Sequence, residues 1–378
     1  MQKVKIDDVL KYEQPTKYIV ETENYNNDFN TPVLTAGKSF ILGYTNEDKG
    51  VFNNVPVIIF DDFTTAFHYV DFPFKVKSSA MKILNVVKEK ADLKYLFYKM
   101  QTISIDKDLH KRYWISKYSQ ILIPLPPIAT QQKIAAILDK ADELRQYNKQ
   151  LIEKYDALTQ SLFLDIFGDP VKNEKGWKTK TIEELTKKEK GSIKRGPFGG
   201  ALKKEIFVEE GFLVYEQFHA LNNDFSMARY FINEEKFNEL KGFEVKPGDI
   251  IISCSGVYLG KLAIIPKNAK KGIINQALLK VTLDETIMRN DFFIFHFTHK
   301  NFREKYFDAN RGAGIPNFPP MSDFKKFPFI SPSIELQNQF AERVQMIATQ
   351  KQQAQEALAK SEELFQSLLQ RAFKGELN

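Results

Sequence analysis

Cysteine is all but absent from this chain, Cys254 being the single one. That excludes an internal disulfide and any zinc site built on thiolates, and it makes a reducing cytoplasm the default expectation for localisation. Long apolar runs are missing too: stretches such as 121–127 and 250–252 fall far short of the ~20 residues that span a bilayer. The N-terminal MQKVKIDDVL has no signal-peptide core, so no membrane partner is expected. Histidine is scarce, with five residues, and only His296 and His299 have a ligand-like spacing. Flanked by Phe295 and Phe297, that pair reads as the edge of a core, and no metal site is expected.

Catalytic signatures are equally thin. A methyltransferase needs a glycine-rich cofactor loop after a strand and a [DNS]PP[YFW] tetrapeptide. Asn317-Phe318-Pro319-Pro320 has those letters in the wrong order, and Gly312-Ala313-Gly314 follows no apolar strand. A PD…(D/E)xK nuclease needs a Pro-Asp dipeptide, which the chain lacks, leaving Glu47-Asp48-Lys49 as a bare triplet. Cys254 has no evident histidine partner and reads as a strand-end core residue. No catalytic residue is assigned, and the chain is expected not to be an enzyme by itself.

What is present is material for two cores. Hydrophobic content of 43% and charged content of 27% over 378 residues describe a globular protein beyond the size of one ordinary domain. The net charge of +6 is modest but sorted: residues 130–166 and 335–376 each carry five basic and six acidic residues, so the remainder holds +8. Eleven Lys/Arg against four Asp/Glu lie in 172–204 alone, among them Lys187, Lys188, Lys190, Lys194 and Arg195. Positive charge in some segments only points to an anionic partner for those segments.

The two acidic-leaning segments echo each other. DALTQSLFLDIFGDP at 156–170 and EELFQSLLQRAFKG at 362–375 share Gln160/Gln366, Ser161/Ser367, Leu162/Leu368 and Phe167/Phe373, each pair 206 positions apart. Both sit in runs free of proline and glycine with an apolar stripe at steps of three and four, a helical pattern with heptad character. The first stripe runs through Ile134, Ile137, Leu138, Ala141, Leu144, Leu151, Tyr155, Leu158 and Leu162, with one polar position, Asn148. The second includes Phe340, Val344, Ile347, Leu358, Ser361, Phe365 and Leu368. Helices of 37–40 residues would be roughly 55–60 Å long at ~1.5 Å per residue. With one stripe each, they are expected to pair, and a self-complementary contact between copies runs them antiparallel. The expected helix-pairing residues are Ile134, Leu138, Ala141, Leu151, Tyr155, Leu162, Phe340, Val344, Ile347, Leu358, Phe365 and Leu368.

The segments before the helices repeat more faintly. Lys5-Ile6-Asp7-Asp8-Val9-Leu10 resembles Thr181-Ile182-Glu183-Glu184-Leu185-Thr186, and each leads into short β-rich runs with turn glycines and some helical periodicity. The expected organisation is a compact domain at 1–127, a long helix at 128–168, a second domain at 169–331 and a second long helix at 332–378. The fold class is mixed α+β, with two globular domains separated by two long antiparallel coiled-coil helices in a pseudo-two-fold internal repeat.

This pattern resembles the specificity subunit of type I restriction-modification systems over essentially the full length. The resemblance rests on Ile123-Pro124-Leu125-Pro126-Pro127-Ile128, on Gln131 to Asp139, on Phe163 to Gly168, and on Gly248-Asp249-Ile250-Ile251-Ile252-Ser253 with Ser255-Gly256. It implies two target recognition domains that each read half of a bipartite double-stranded DNA sequence. It also implies helices that dock methyltransferase subunits, two of them, with restriction subunits joining through the complex. S-adenosylmethionine would then sit on the methyltransferase, and this chain would hold no cofactor. The first half departs from the pattern: it offers Val57-Ile58-Ile59-Phe60 and Asp61-Asp62-Phe63-Thr64-Thr65 without the glycines. A 55 Å spacer laid along DNA corresponds to roughly 16 base pairs at ~3.4 Å each.

DNA contacts are expected from basic and amide side chains on loops near each domain's strands. In the first domain the candidates are Lys38, Tyr44, Thr64, Thr65, His68, Lys75 and Lys77. In the second they are Lys194, Arg195, Lys203, Lys204, Gln217, Ser255, Tyr258 and Arg311, beside a loop whose glycines 191, 196, 199 and 200 permit close backbone approach. The alternative function is a structural coiled-coil scaffold whose two domains bind proteins; steep salt dependence of DNA binding distinguishes the two.

Overall fold

A computed structural model describes residues 2–35, 39–105, 112–256, 259–308 and 318–377. The long helices take Ile128–Phe167 and Ile334–Lys374. The chain divides into two compact units, residues 1–152 with 353–378 and residues 153–352, so each unit holds one globular domain and one end of both helices.

In unit one the strands are β1 (Gln2–Lys5), β2 (Leu10–Glu13), β3 (Thr31–Leu34), β4 (Ile41–Thr45), β5 (Val57–Asp61), β6 (Phe67–Val70), β7 (Lys75–Val76), β8 (Met81–Val86) and β9 (Leu122–Leu125). One sheet has the order β2-β8-β5-β6, and a second has β4-β3-β7, with β3 and β7 parallel. In unit two they are β10 (Thr179–Lys180), β11 (Ile193–Arg195), β12 (Phe212–Tyr215), β13 (Phe231–Ile232), β14 (Glu244–Val245), β15 (Ile250–Ser253), β16 (Leu262–Ile264), β17 (Gly272–Ile274), β18 (Leu278–Val281) and β19 (Phe329–Ile330). The sheets β11-β18-β15-β16 and β13-β12-β17-β14 reproduce the first unit's plan, with β12 and β17 parallel and β14 added. β5 and β15 occupy the same place, so the glycine-poor Val57–Asp61 and the Gly-Asp-led Ile250–Ser253 are counterparts.

The repeat extends to single hydrogen bonds. Val4 pairs with Ile123 and Lys3 with Pro124 in β1–β9; Lys180 pairs with Phe329 and Thr179 with Ile330 in β10–β19. The short helices Ile6–Val9 and Ile182–Leu185 follow these strands, and each is closed by an acidic side chain reaching back to the backbone N–H three residues earlier, Asp8 to Lys5 and Glu184 to Thr181. Most telling are two glutamines, Gln131 and Gln337, which are 1% and 0% exposed. Gln131 Oε1 accepts from Asp92 N at 2.9 Å, and its Nε2 donates to Pro126 O at 2.8 Å. Gln337 Oε1 accepts from Arg289 N at 2.9 Å, and its Nε2 donates to Pro332 O at 2.9 Å and Ile287 O at 3.0 Å. Each glutamine thus ties the first turn of a long helix to the start of a domain helix, Leu93–Gln101 or Asn290–Thr298.

Within each unit the helix ends pair antiparallel. In unit one Arg145 bonds Glu362 at 3.1 Å and Asn148 bonds Ser361 at 3.4 Å, so numbers rise along one helix as they fall along the other. Ile134, Leu138, Ala141 and Phe365 are buried there, as is Leu369, with Leu368 half-buried beside them. Asn148 and Ser361 form a buried polar layer, and such a layer discriminates register because a slip strands the Asn148 amide, whereas Ser361 Oγ keeps its bond to Leu358 O. In unit two Lys351 meets Asp156 at 2.5 Å, and the ring of Phe340 lies 5.8 Å from Phe163 and 5.2 Å from Phe167. Leu162 and Val344 flank that cluster, while Leu151, Tyr155, Ile347 and Leu358 are half-buried. Leu144 and Leu158, on the expected stripe, are 46% and 48% exposed: the buried seam is narrower than the apolar face.

The first helix ends where Gly168 turns to φ +74°, a conformation costly for any residue with a Cβ. Asp169 Oδ1 then accepts from Val171 N and Lys172 N, and Trp177 Nε1 donates to Phe167 O at 2.8 Å. His296 is fully buried in unit two; burial, reinforced by the neighbouring His299, lowers its pKa to about 3. Its Nε2 accepts from Ile330 N at 3.2 Å, a role only an unprotonated nitrogen can take.

Both kinds of buried polar group bear on stability. Gln337→Met nearly preserves side-chain volume but strands Arg289 N, Ile287 O and Pro332 O, each costing about 1–3 kcal/mol, so urea denaturation should show a loss of several kcal/mol. Because folding holds His296 neutral, its contribution is intact above the unfolded pKa of 6.5 and is lost as pH falls from there toward 3. The fall in melting temperature from pH 7 to pH 4 should therefore be less steep for His296→Gln than for the wild type; equal slopes would refute the assignment.

Candidate nucleic-acid interface

The C-terminal ends of four strands converge in unit two. Asn275 N donates to Tyr215 O at 2.9 Å, joining the ends of β17 and β12. Cys254 N donates to Ala277 O and Gly196 N to Leu278 O, both at 2.8 Å, bringing the ends of β15 and β11 to the same place. Gly196 is required there, because a Cβ would stand 1.8 Å from Asn275 O. The loop that follows carries Phe198, which is 70% exposed and lies 5.5 Å beneath the Arg195 guanidinium. Arg195 Nε is buried without a hydrogen-bond partner among the described residues.

Gln217, just past β12, donates from Nε2 to Ser253 Oγ at 2.7 Å, to Ser255 O at 2.8 Å and to Ser255 Oγ at 3.2 Å. Arg195, Gln217 and Ser255 therefore surround one strand end, and Lys203 and Lys204 stand exposed on the nearby loop. Lys194 is separated from Arg195 because neighbours on a strand face opposite ways; its Nζ lies over the Phe243 ring at 4.9 Å. Cys254 is buried between the serines, and burial pushes its thiol up to about 12 against the pull of Arg195, so it is an inert core group. Tyr258 and Arg311 lie outside the described residues.

The basic run is divided between two places. Lys187 and Lys190 line a separate cleft of about 550 Å³ with Lys241, Lys246 and Lys280, but Glu189, Glu244, Asp249, Asp284 and Glu285 line it too. Burial lowers the pKa of Lys280, whose Nζ donates to Glu244 O at 2.7 Å. Charge in that cleft is largely balanced.

Unit one presents the same strand ends with different side chains. Asp61 Oδ1 accepts from Phe63 N and Thr64 N at 2.8 and 2.7 Å, shaping the β5–β6 turn, where Thr64 is exposed and Thr65 has φ +61°. Asp62 N donates to Ala80 O and Lys77 N to Leu34 O, so the ends of β5, β7 and β3 also meet. Tyr44 is half-buried on β4, and His68 stacks on Phe40 with centroids 4.4 Å apart. Lys77 pairs with Glu23, which takes up part of its charge. Lys75 is corrected outright. It is 2% exposed, ion-paired to Glu47 at 2.6 Å and bonded to Lys49 O at 2.6 Å, so it anchors a loop from inside and reaches no ligand. Lys38 lies outside the described residues.

Residues that sequence reasoning misses include Gln276, exposed beside Gly196, and Phe63, exposed at the β5–β6 turn. An amide pair after two isoleucines, Asn275-Gln276, is the available signal. Among the described residues no cluster of His, Cys, Asp and Glu could hold a metal, and no helix is long and apolar enough to cross a membrane.

Comparison with known proteins returns one family consistently. Residues 1–155 and 174–359 match the profile of the type I restriction modification DNA specificity domain. Over 147 residues the chain is 50% identical to the Escherichia coli type I restriction enzyme EcoR124I/EcoR124II specificity subunit, a match covering 36% of this chain and 36% of that protein. The specificity subunit of the MjaVIII type I enzyme of Methanocaldococcus jannaschii is 24% identical over 367 residues, 91% of this chain and 85% of the relative. Among solved structures, the type I S subunit from M. genitalium superposes with a TM-score of 0.55 at 17% identity over 98% of this chain and 96% of its own. A chain from a structure describing complex assembly and conformational transition of the type I R-M system gives 0.58 at 16% identity, over 100% and 98%.

Lys203→Ala and Lys204→Ala should each flatten the log–log salt dependence of DNA binding by about 0.9 while leaving the melting temperature unchanged. Lys75→Met should do the reverse, lowering thermal stability and sparing the salt slope.

Proposed function

The chain belongs to the type I restriction-modification DNA specificity family, and from that premise we propose that each of its two units reads one half of a bipartite double-stranded DNA target. One observation carries the reading. The scaffold repeats down to the glutamine clamps and the β1–β9 and β10–β19 registers, whereas the side chains that follow the equivalent strands β5 and β15 differ. Past the ends of β5 and β15, Asp62 and Phe63 in one unit stand where Cys254 and Ser255, the latter bonded to Gln217, stand in the other. Selection for two different ligands of one chemical class produces this pattern, and phosphate neutralisation by Lys203, Lys204 and Arg195 suits DNA.

The chain acts without catalysis of its own, in the cytoplasm, and binds no cofactor. S-adenosylmethionine and the methyl transfer belong to modification subunits, two per assembly, with restriction subunits joining the same complex. The outer faces of the long helices suit such docking, since Leu144, Tyr147, Met346 and Leu364 are exposed apolar positions on otherwise polar helices.

Copurification with its methyltransferase partner, followed by a methylation map of the host genome, tests this. Methylation at a split target with an unread gap is expected; a single continuous site would contradict the reading. Gel-shift titration of the complex should lose affinity steeply with salt, which a protein-binding scaffold would not show.

A further inference from the structure

Gln217 has a hydrogen-bonding polarity that its neighbours decide. Its amide faces the Ser255 carbonyl oxygen at 2.8 Å, and a carbonyl can only accept, so the facing atom must be the nitrogen. Ser253 Oγ, at 2.7 Å, takes the second N–H. Flipping the amide would set oxygen against oxygen. Both donors are therefore spent inside the domain, whereas Oε1 has no hydrogen bond among the described residues and the side chain is only half-buried. A free glutamine offers a donor and an acceptor together, the pair that matches adenine N6 and N7. Gln217 has kept the acceptor alone.

We propose that Gln217 is an acceptor-only base reader, taking a hydrogen bond from the exocyclic amino group of adenine or cytosine in the major groove. The inference rests on the reading of unit two as a DNA-binding unit. Every base pair carries one such amino group in that groove, on A or on C, so a lone acceptor senses which strand bears it. A and C satisfy Oε1, whereas G and T present O6 and O4, which repel it. At this position the half-site admits A, C or both on the strand that faces Gln217, and it rejects G and T by roughly 5- to 150-fold. Other contacts can narrow A or C to one base, but they cannot make Gln217 favour G or T.

The test compares methylation maps of the full complex assembled with the wild-type chain, with Gln217→Met, and with Gln217→Asn. Met fills the space but offers no amide, and Asn keeps the amide one methylene short of its present reach. Either variant should add G or T at a single position of one half-site, with the other half unchanged. Should Gln217→Met fail to assemble, Gln217→Asn decides by the same readout. An unaltered target, a change in both halves, a broadening that only interchanges A and C, or an assembled complex that methylates nothing would each overturn the proposal. Absence of any split target with the wild-type chain would instead defeat the DNA-reading function on which the proposal stands.

Discussion

A glutamine sealed at the root of each long helix is the constraint on which the architecture rests. A buried amide is expensive unless its partners are in place, and those of Gln131 and Gln337 are backbone groups of the domain and of the proline segment leading into the helix. Backbone partners do not change with the side chains around them. The angle at which a helix leaves its domain is thereby insulated from whatever the rest of the domain becomes. That insulation lets two domains diverge in what they bind while delivering their helices in the same way.

Helix pairing adds a second layer of definition. An apolar seam such as Phe163, Phe167 and Phe340 supplies burial energy of about 1.5–3 kcal/mol per large side chain but tolerates sliding. The Asn148–Ser361 layer, with Arg145 bonded to Asp142 and Glu362 and lying 4.1 Å over the Phe365 ring, does not. In each domain the strand ends form a platform whose positions are set by backbone hydrogen bonds, so side chains there such as Arg195, Phe198 and Thr64 can vary without disturbing it.

The long helices, the 206-residue repeat and the two mixed domains are legible because periodicity and repetition are properties of a linear string. The glutamine clamps are not, since Gln131 in Gln-Gln-Lys looks like helix surface until its partner 39 residues earlier is known. The same limit hides the role of Lys75, whose charge is consumed by Glu47, distant in the chain. Lys194 and Arg195 look like one basic patch in sequence, yet the strand turns them to opposite faces. Charge counts see neither pairing nor direction. Leu144 and Leu158 show the converse: their stripe is real, but a two-helix seam covers only part of it.

Modular recognition, one unit to one half of the target on a scaffold whose clamps are indifferent to the bases read, is the claim on which the proposed function turns. The most direct measurement replaces residues 1–125 by the matching domain of a relative with a different target, keeps Pro126 and Gln131, and maps methylation by the reassembled complex. Modularity predicts a new target in which one half has changed and the other is retained. A change in both halves would contradict it.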